Sequence, residues 1–141
     1  MVLLLAVQTF SASLGLEFKA DEAENIALNI GFSDQFELKP QVAFRLGDGA
    51  FIDLIVDGNF YFAEMSGLRH YAGFGVHFKI EDTANDNTAV NLGGHYGLRY
   101  DVNEIISIFG EIGVLVDFQD GFSLSSTRPG LGCTFYLPAF N

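Results

Sequence analysis

The sequence predicts an all-β protein, an eight-stranded antiparallel up-and-down meander that closes into a barrel. Hydrophobic residues alternate with polar residues or glycine, which is the period of a β-strand and not of a helix. Between Gly67 and Ile80 the even positions are apolar except His70, while the odd positions include Arg69, Lys79 and three glycines. Connections between such segments are short, so consecutive strands must be antiparallel. Closure removes the two exposed edges of the meander.

The alternation places the eight strands in order along the chain. They are predicted over 14–20, 25–32, 35–47, 50–63, 67–80, 88–102, 104–118 and 128–137. Turn-forming residues separate them at Ser33-Asp34, Gly47-Asp48-Gly49, Glu64-Met65-Ser66 and Gln119-Asp120-Gly121, among others. We therefore expect a single β-barrel domain over residues 14–141.

Residues 1–13 are predicted to be the remnant of a signal peptide. The apolar run Met1–Val7 resembles the core of such a peptide, and Ser11-Ala12-Ser13 supplies the small residues of a cleavage site. The alternative is that residues 8–13 begin the first strand, because Gln8, Phe10 and Ala12 continue its alternation of faces.

Composition excludes several classes of protein. The 141 residues include 7 basic and 18 acidic side chains, a formal charge of −11, so a nucleic-acid partner is not expected. Hydrophobic residues make up 49%, which excludes a disordered chain. One cysteine, Cys133, excludes an internal disulfide framework, and the longest apolar run, Met1–Val7, is too short for a membrane-spanning helix.

The charges within the predicted strands all lie at the alternate positions that form the polar face, which we call the polar parity. Seven basic and seven acidic residues lie there, so this face is neutral, and we predict that they form a lumen charge network: Glu17, Lys19, Glu37, Lys39, Arg45, Asp53, Asp57, Arg69, Lys79, Arg99, Asp101, Glu111, Asp117 and Arg128. The remaining acids lie in connections or at strand ends, so the connections carry the whole net charge.

Two architectures share this alternation. A soluble calycin-type barrel, which would bind a lipid, turns its apolar face inward, whereas a transmembrane barrel has a polar interior and an apolar outer wall. Eleven of the sixteen glycines have the polar parity, where a narrow interior has little room for side chains, and the chain has only three lysines. These features favour the transmembrane barrel with a polar, charge-paired interior, while the soluble barrel remains the alternative.

Two stretches, Gly93–Tyr100 and Ile108–Gly113, carry a family resemblance, and the last strand ends on Gly132–Leu137. The chain resembles the small eight-stranded bacterial outer-membrane barrels of the OmpA membrane-domain and OmpX type. Its end resembles their assembly signal, although the chain continues to Asn141. The resemblance implies an outer-membrane protein that contacts outer-membrane lipids, is monomeric and has a structural or surface role with a plugged lumen.

The sequence offers little chemistry, so we predict no catalytic residue, no cofactor and no metal site. His77 and His95 are both expected on the lumen face, but they lie at different distances from the turn between them. The two side chains should therefore not lie at the same level of the barrel. The polar run from Ser123 to Thr127 has no histidine or acid at a spacing that would activate a hydroxyl. Binding of a small ligand, or narrow transport, remains an alternative function.

The outward connections are predicted to carry an acidic rim. With the N-terminus on the periplasmic side, alternate connections face outward and carry eight acids and no basic residue: Asp21, Glu22, Glu24, Asp48, Glu81, Asp82, Asp86 and Asp120. We expect this rim to attract divalent cations.

Overall fold

The computed structural model describes residues 13–20, 23–46, 50–81, 88–117, 123–125 and 129–138. Nine strands lie in this part of the chain: β1 Ser13–Ala20, β2 Glu24–Gly31, β3 Phe36–Arg45, β4 Phe51–Met65, β5 Leu68–Glu81, β6 Thr88–Asp101, β7 Ile106–Asp117, β8 Ser123–Ser125 and β9 Gly130–Leu137. Within the described ranges, the structure has no helix of a length and apolarity that would cross a membrane.

The strands form one closed antiparallel sheet. Each of β1 to β7 pairs with the next strand along the chain, and β9 pairs with both β7 and β1, which completes the ring. The short β8 pairs with β7 beyond the stretch that β9 occupies. Eight long strands therefore make the barrel wall, and the predicted meander barrel is confirmed.

Most strand ends lie within two residues of their predicted positions, and one turn was predicted wrongly. The turn expected at Glu64–Ser66 lies later, because β4 continues through Met65. Ser66 and Gly67 have φ values of 53° and 80°, the left-handed backbone that a two-residue hairpin turn requires. The register shifts between Tyr61 and Ala63, so β4 has one residue more than its partner strand β5.

The other two connections at this end of the barrel are held by short polar side chains. The Ser33 hydroxyl accepts hydrogen bonds from the backbone of Gln35 and Phe36 at 3.3 and 3.1 Å. The Asn103 side chain does the same for Ile105 and Ile106 at 2.8 and 2.9 Å. In each connection the side-chain oxygen accepts hydrogen bonds from backbone N–H groups near the turn. Serine and asparagine are typical turn residues for this reason, so both turns could be predicted from the sequence.

The barrel is polar inside and apolar outside. The largest fully buried side chains are Arg99, Tyr71, Lys39, Glu17, Asn29, Asn59, Thr134 and Ser107. Large apolar side chains such as Leu16, Phe74 and Ile112 are exposed on the outer wall, at 41%, 59% and 52%. The predicted polar interior is therefore confirmed, and the soluble calycin-type alternative, which needs an apolar interior, is wrong. Residues 1–12 lie outside the described ranges, so the signal peptide stays a prediction.

Candidate functional site: a charge network across the lumen

Six charged side chains meet in the middle of the lumen and form what we call the central network. They come from β1, β3, β6 and β7 and comprise three carboxylates and three cations: Glu17, Glu37, Glu111, Lys19, Lys39 and Arg99. Their formal charges cancel, as a set of buried charges requires.

Arg99 connects two of the carboxylates. Its Nη2 donates to Glu17 at 2.8 Å, and its Nη1 lies 3.1 Å from a Glu37 carboxylate oxygen and donates to the Tyr136 hydroxyl at 2.8 Å. The side chain is fully buried. The ring of Phe109 lies 5.3 Å from the guanidinium carbon, so cation–π contact adds to the ion pairs.

The two lysines extend the network along the barrel. Lys39 Nζ lies 3.0 Å from Glu17 and 3.9 Å from Glu111, and Lys19 Nζ donates to Glu111 at 2.6 Å. Negative and positive groups therefore alternate from Glu37 through Arg99, Glu17, Lys39 and Glu111 to Lys19. In this series, each charge between the two ends has an opposite charge on both sides.

Neutral donors occupy remaining oxygens of the carboxylates. Glu37 accepts hydrogen bonds from the Asn59 amide at 2.8 Å and the Tyr61 hydroxyl at 3.0 Å. Glu17 accepts from Asn29 and Thr134, and Glu111 accepts from the Tyr71 hydroxyl. These neutral donors were not predicted from the sequence, where only charged residues were assigned to the network. Their positions on the polar face of the same strands were the available signal.

Lumen glycines provide the space that these side chains fill. The Tyr71 ring lies over Gly97, on the neighbouring strand, where any added Cβ would overlap it. His95 and Asn59 lie over Gly73 in the same way, and the Phe109 ring lies over Gly132. These glycines of the polar face therefore leave the space in which its large side chains pack.

We expect Gly97→Ala to destabilise the barrel by about 1–3 kcal/mol, because the new methyl group overlaps the buried Tyr71 ring. Gly94→Ala on the outer face of the same strand is the matched control. Its nearest neighbour would be the Gly73 carbonyl oxygen at 3.9 Å, and we expect little change. Urea unfolding of both variants in detergent measures the difference, and equal midpoints would contradict the packing described.

The other predicted network residues lie in smaller groups. Asp53 lies 3.5 Å from His77, and Asp57 accepts a hydrogen bond from Gln41. Arg69 lies 3.6 Å from the half-exposed Asp101, near the tight turns. Of the remaining members, Arg45 and Lys79 lie against the Phe51 ring, Asp117 is half-buried, and Arg128 lies outside the described ranges.

The acidic rim falls mainly outside the described ranges. The side chain of Glu24 is described and is exposed, and only the backbone of Glu81 is described. The remaining members are outside the structure that is described: Asp21, Glu22, Asp48, Asp82, Asp86 and Asp120. Divalent-cation binding therefore stays a prediction.

The two lumen histidines lie in different rows. His77 pairs across the sheet with Asn91, whereas His95 pairs with Gly73 and bonds the Asn59 side chain at 2.7 Å. Among the described side chains, no group of three or more metal-ligating residues comes together.

A cavity of about 290 Å³ occupies the lumen towards the end of the barrel opposite the Ser66–Gly67 turn. Lys19 and Glu111, two members of the central network, bound it at one end, while Arg45, Phe51 and Lys79 line it near the strand ends. Asp53, Asp57 and His77 line its wall between these two levels. The lumen is thus packed in one part and hollow in another.

A closed eight-stranded barrel with a charged interior and an apolar wall is the architecture of the small outer-membrane barrels. Among solved structures, the N-terminal β-barrel domain of Pseudomonas aeruginosa OprF superposes with a TM-score of 0.70 at 18% identity, over 92% of this chain and 98% of that one. Neisserial surface protein A gives 0.56 at 12% identity, over 88% and 93%. The de novo designed barrel TMB2.3 gives 0.59 at 14% identity, over 90% and 95%.

These similarities establish the fold and nothing finer, since one of the three chains was designed. No protein-family model matches the chain, and no curated protein is significantly similar to it.

Proposed function

We propose that the protein is an integral bacterial outer-membrane barrel, without enzymatic activity, that has a structural or surface role and a plugged lumen. The observation that carries this proposal is the arrangement of the barrel, which is polar inside and apolar outside, the reverse of a water-soluble barrel. Buried Arg99, Lys39 and Glu17 lie inside, while Phe74, Phe60 and Ile112 are more than half exposed on the outer wall. Such a wall is stable against lipid and would aggregate in water.

The plugged lumen is supported by the packing around the central network. Arg99, Lys39, Tyr71 and Asn59 are fully buried, which supports a lumen closed at their level. An eight-stranded barrel is narrow enough for side chains to fill. Ion flow would require several of the alternating ion pairs to separate together.

Planar-bilayer recordings test the plug. We expect the wild-type protein to show no large steady conductance, because the central network closes the bore. The double variant Glu17→Ala, Lys39→Ala removes one acid and one base and should produce measurable conductance. Lys79→Ala, a change outside the central network, is the control and should stay closed. A sustained, large conductance from the wild type would contradict the plug.

One observation favours a second function, the binding of a small ligand. The cavity next to the central network, about 290 Å³, has the volume for a small molecule, and polar side chains such as Asp53 and His77 line it. A protein that only filled its lumen for stability would not need this space. In this second function the barrel wall is unchanged and the hollow part of the lumen is the site.

A further inference from the structure

A groove of about 780 Å³ crosses the outer wall of the barrel over β6, β7 and β9. Its floor is at Gly110, which is paired with Leu98 on β6 and with Leu131 on β9. A Cβ atom added at Gly110 would lie 3.2 Å from Leu131 Cδ2, so a side chain at this position would intrude into the groove. The volume is within the range of about 300–1,000 Å³ that is usual for small-ligand sites.

Large side chains form the two sides of the groove. Tyr100 and Ile108 are paired across the sheet on one side of it, and Tyr96 and Ile112 on the other. All four are between 40% and 52% exposed on the outer wall. The groove therefore runs across the strands, from β9 over Gly110 towards β5. The three steps between β9 and β5 add to about 14 Å at ~4.8 Å per strand, close to the ~15 Å depth of one leaflet.

The β5 end of the groove is polar. His70 is paired with Leu98 across the sheet, and its Nδ1 lies 2.7 Å from the Tyr96 hydroxyl oxygen. The rings of Phe62, His70 and Tyr96 have centroids 6.2–6.3 Å apart, and this packing holds the polar pair in place. Because His70 is close to the Ser66–Gly67 turn, the polar end of the groove is near the edge of the barrel wall.

Each tautomer of this pair leaves one hydrogen-bond donor at the outer wall. If His70 Nδ1 carries the proton, it donates to the Tyr96 oxygen, and the hydroxyl hydrogen is available for another acceptor. If the Tyr96 hydroxyl donates to Nδ1, the neutral ring carries its proton on Nε2, which is then the available donor. A donor beside hydrocarbon costs free energy unless an oxygen accepts from it. The phosphate of a lipid offers such oxygens at the membrane interface.

The exposed charges at this end of the barrel favour a headgroup that carries an ammonium group. The described connections and strand ends on this side carry four exposed acids and one half-buried base: Asp34, Glu64, Asp101, Glu104 and Arg69. The base is already held, since Arg69 donates to the Asp34 carbonyl and lies 3.6 Å from Asp101. An anionic headgroup would meet repulsion here, whereas an ammonium group would be attracted.

The polar end of the groove, together with its shape, sets its preference for a ligand. In a membrane, apolar packing alone gives little preference, because the surrounding lipid tails are equally apolar. We propose that the groove binds one phospholipid whose headgroup carries an ammonium group. One acyl chain lies over Gly110, and the His70–Tyr96 pair donates a hydrogen bond to the phosphate. This inference rests on the proposed location of the protein in a membrane, since the groove is on the outer wall.

Native mass spectrometry tests the proposal by counting the lipids that each barrel retains. The full chain is folded in detergent and mixed with phosphatidylethanolamine, and we expect retention to saturate at one lipid per barrel. Phosphatidylglycerol, which lacks the ammonium group and is anionic, should be retained about fivefold more weakly because of the exposed acids.

Gly110→Leu fills the floor of the groove and should weaken retention about tenfold, because the acyl chain loses its packing there. Gly94→Leu is the matched control and should retain the lipid normally. Gly94 is on the outer face of β6 but outside the groove, and a Cβ atom there would have its nearest neighbour, the Gly73 carbonyl oxygen, at 3.9 Å. If Gly110→Leu does not fold, Leu131→Ala replaces it. This change removes a 73%-exposed side chain of the groove and should also weaken retention.

The double variant His70→Phe, Tyr96→Phe tests the polar end. It keeps an aromatic ring at both positions and removes the donor, so it should retain phosphatidylethanolamine about tenfold more weakly. Diacylglycerol, which has the same tails and no phosphate, should be retained equally by the wild type and the double variant.

The proposal is overturned if retention does not saturate at one lipid, if phosphatidylglycerol is retained as tightly as phosphatidylethanolamine, or if the folded variants retain the lipid as the wild type does. A dimer that disappears in Gly110→Leu would also overturn it and would assign the groove to a second copy of the chain. These outcomes leave the proposed function standing. A barrel that stays monodisperse in water without detergent or lipid would instead contradict the proposed function itself.

Discussion

Replacement of Arg99 by alanine is expected to lower the free energy of unfolding by about 3–5 kcal/mol, because it leaves two buried carboxylates without their shared cation. Glu17 and Glu37 are 1% and 5% exposed, and each lies within 3.1 Å of the guanidinium. Lys39 would still pair with Glu17, whereas Glu37 would keep only neutral donors. Urea unfolding in detergent micelles measures the loss.

Arg69→Ala is the matched control for this variant. Arg69 is on the same face of the neighbouring strand, but its side chain is 25% exposed and lies 3.6 Å from the 45%-exposed Asp101. An ion pair in that setting contributes about 0–1 kcal/mol. If Arg69→Ala and Arg99→Ala lowered stability equally, the central network would not be the stabilising feature of the lumen.

Val56→Arg is expected to destabilise the membrane-inserted barrel by about 2–4 kcal/mol, the cost of a charge on the lipid face near the bilayer midplane. Val56 lies near the middle of β4, and 43% of it is exposed on the outer wall. In a water-soluble barrel the same arginine would be solvated and nearly neutral in effect. Unfolding in phospholipid vesicles, followed by the shift to the unfolded band on gels, reports the stability.

Ile80→Arg provides the depth control. Ile80 is on the same outer face, 49% exposed, one residue before the end of β5. Near the membrane interface an arginine costs only about 0–1 kcal/mol, since its head group reaches water. Equal losses at Val56 and Ile80 would show that the outer wall does not experience a depth-dependent environment, and would contradict membrane insertion.

The architecture could be predicted because a barrel strand has a short repeat and uniform surroundings. Period two assigns each residue to a face regardless of its partner, so Leu38 and Lys39 were placed on opposite faces without knowledge of the register. Turn ends were less predictable. Glu64 and Met65 have the composition of a turn, but the hairpin is set by the left-handed backbone of Ser66 and Gly67.

The membership of the charged face was predictable, but its pairing was not. Glu37 and Arg99 are 62 residues apart in sequence, and they meet only because the stagger of the closed sheet brings their strands to one level. Parity alone gave no reason to separate Arg99, at the centre, from the exposed Arg45 at a strand end. The role of Tyr71 was equally hidden, since it depends on the space left by Gly97 on the next strand.

The central claim, that the polar face is enclosed and the apolar face lies in lipid, is tested most directly by spin labels at Phe74 and His77. Both are on β5, on opposite faces, and Cys133 would first be replaced by serine. Power-saturation measurements in vesicles compare collisions with oxygen, which partitions into lipid, and with a water-soluble nickel chelate. We expect high oxygen and low nickel accessibility at position 74, with low oxygen accessibility at position 77. High nickel accessibility at position 74, equal to that of a fully hydrated label, would contradict it.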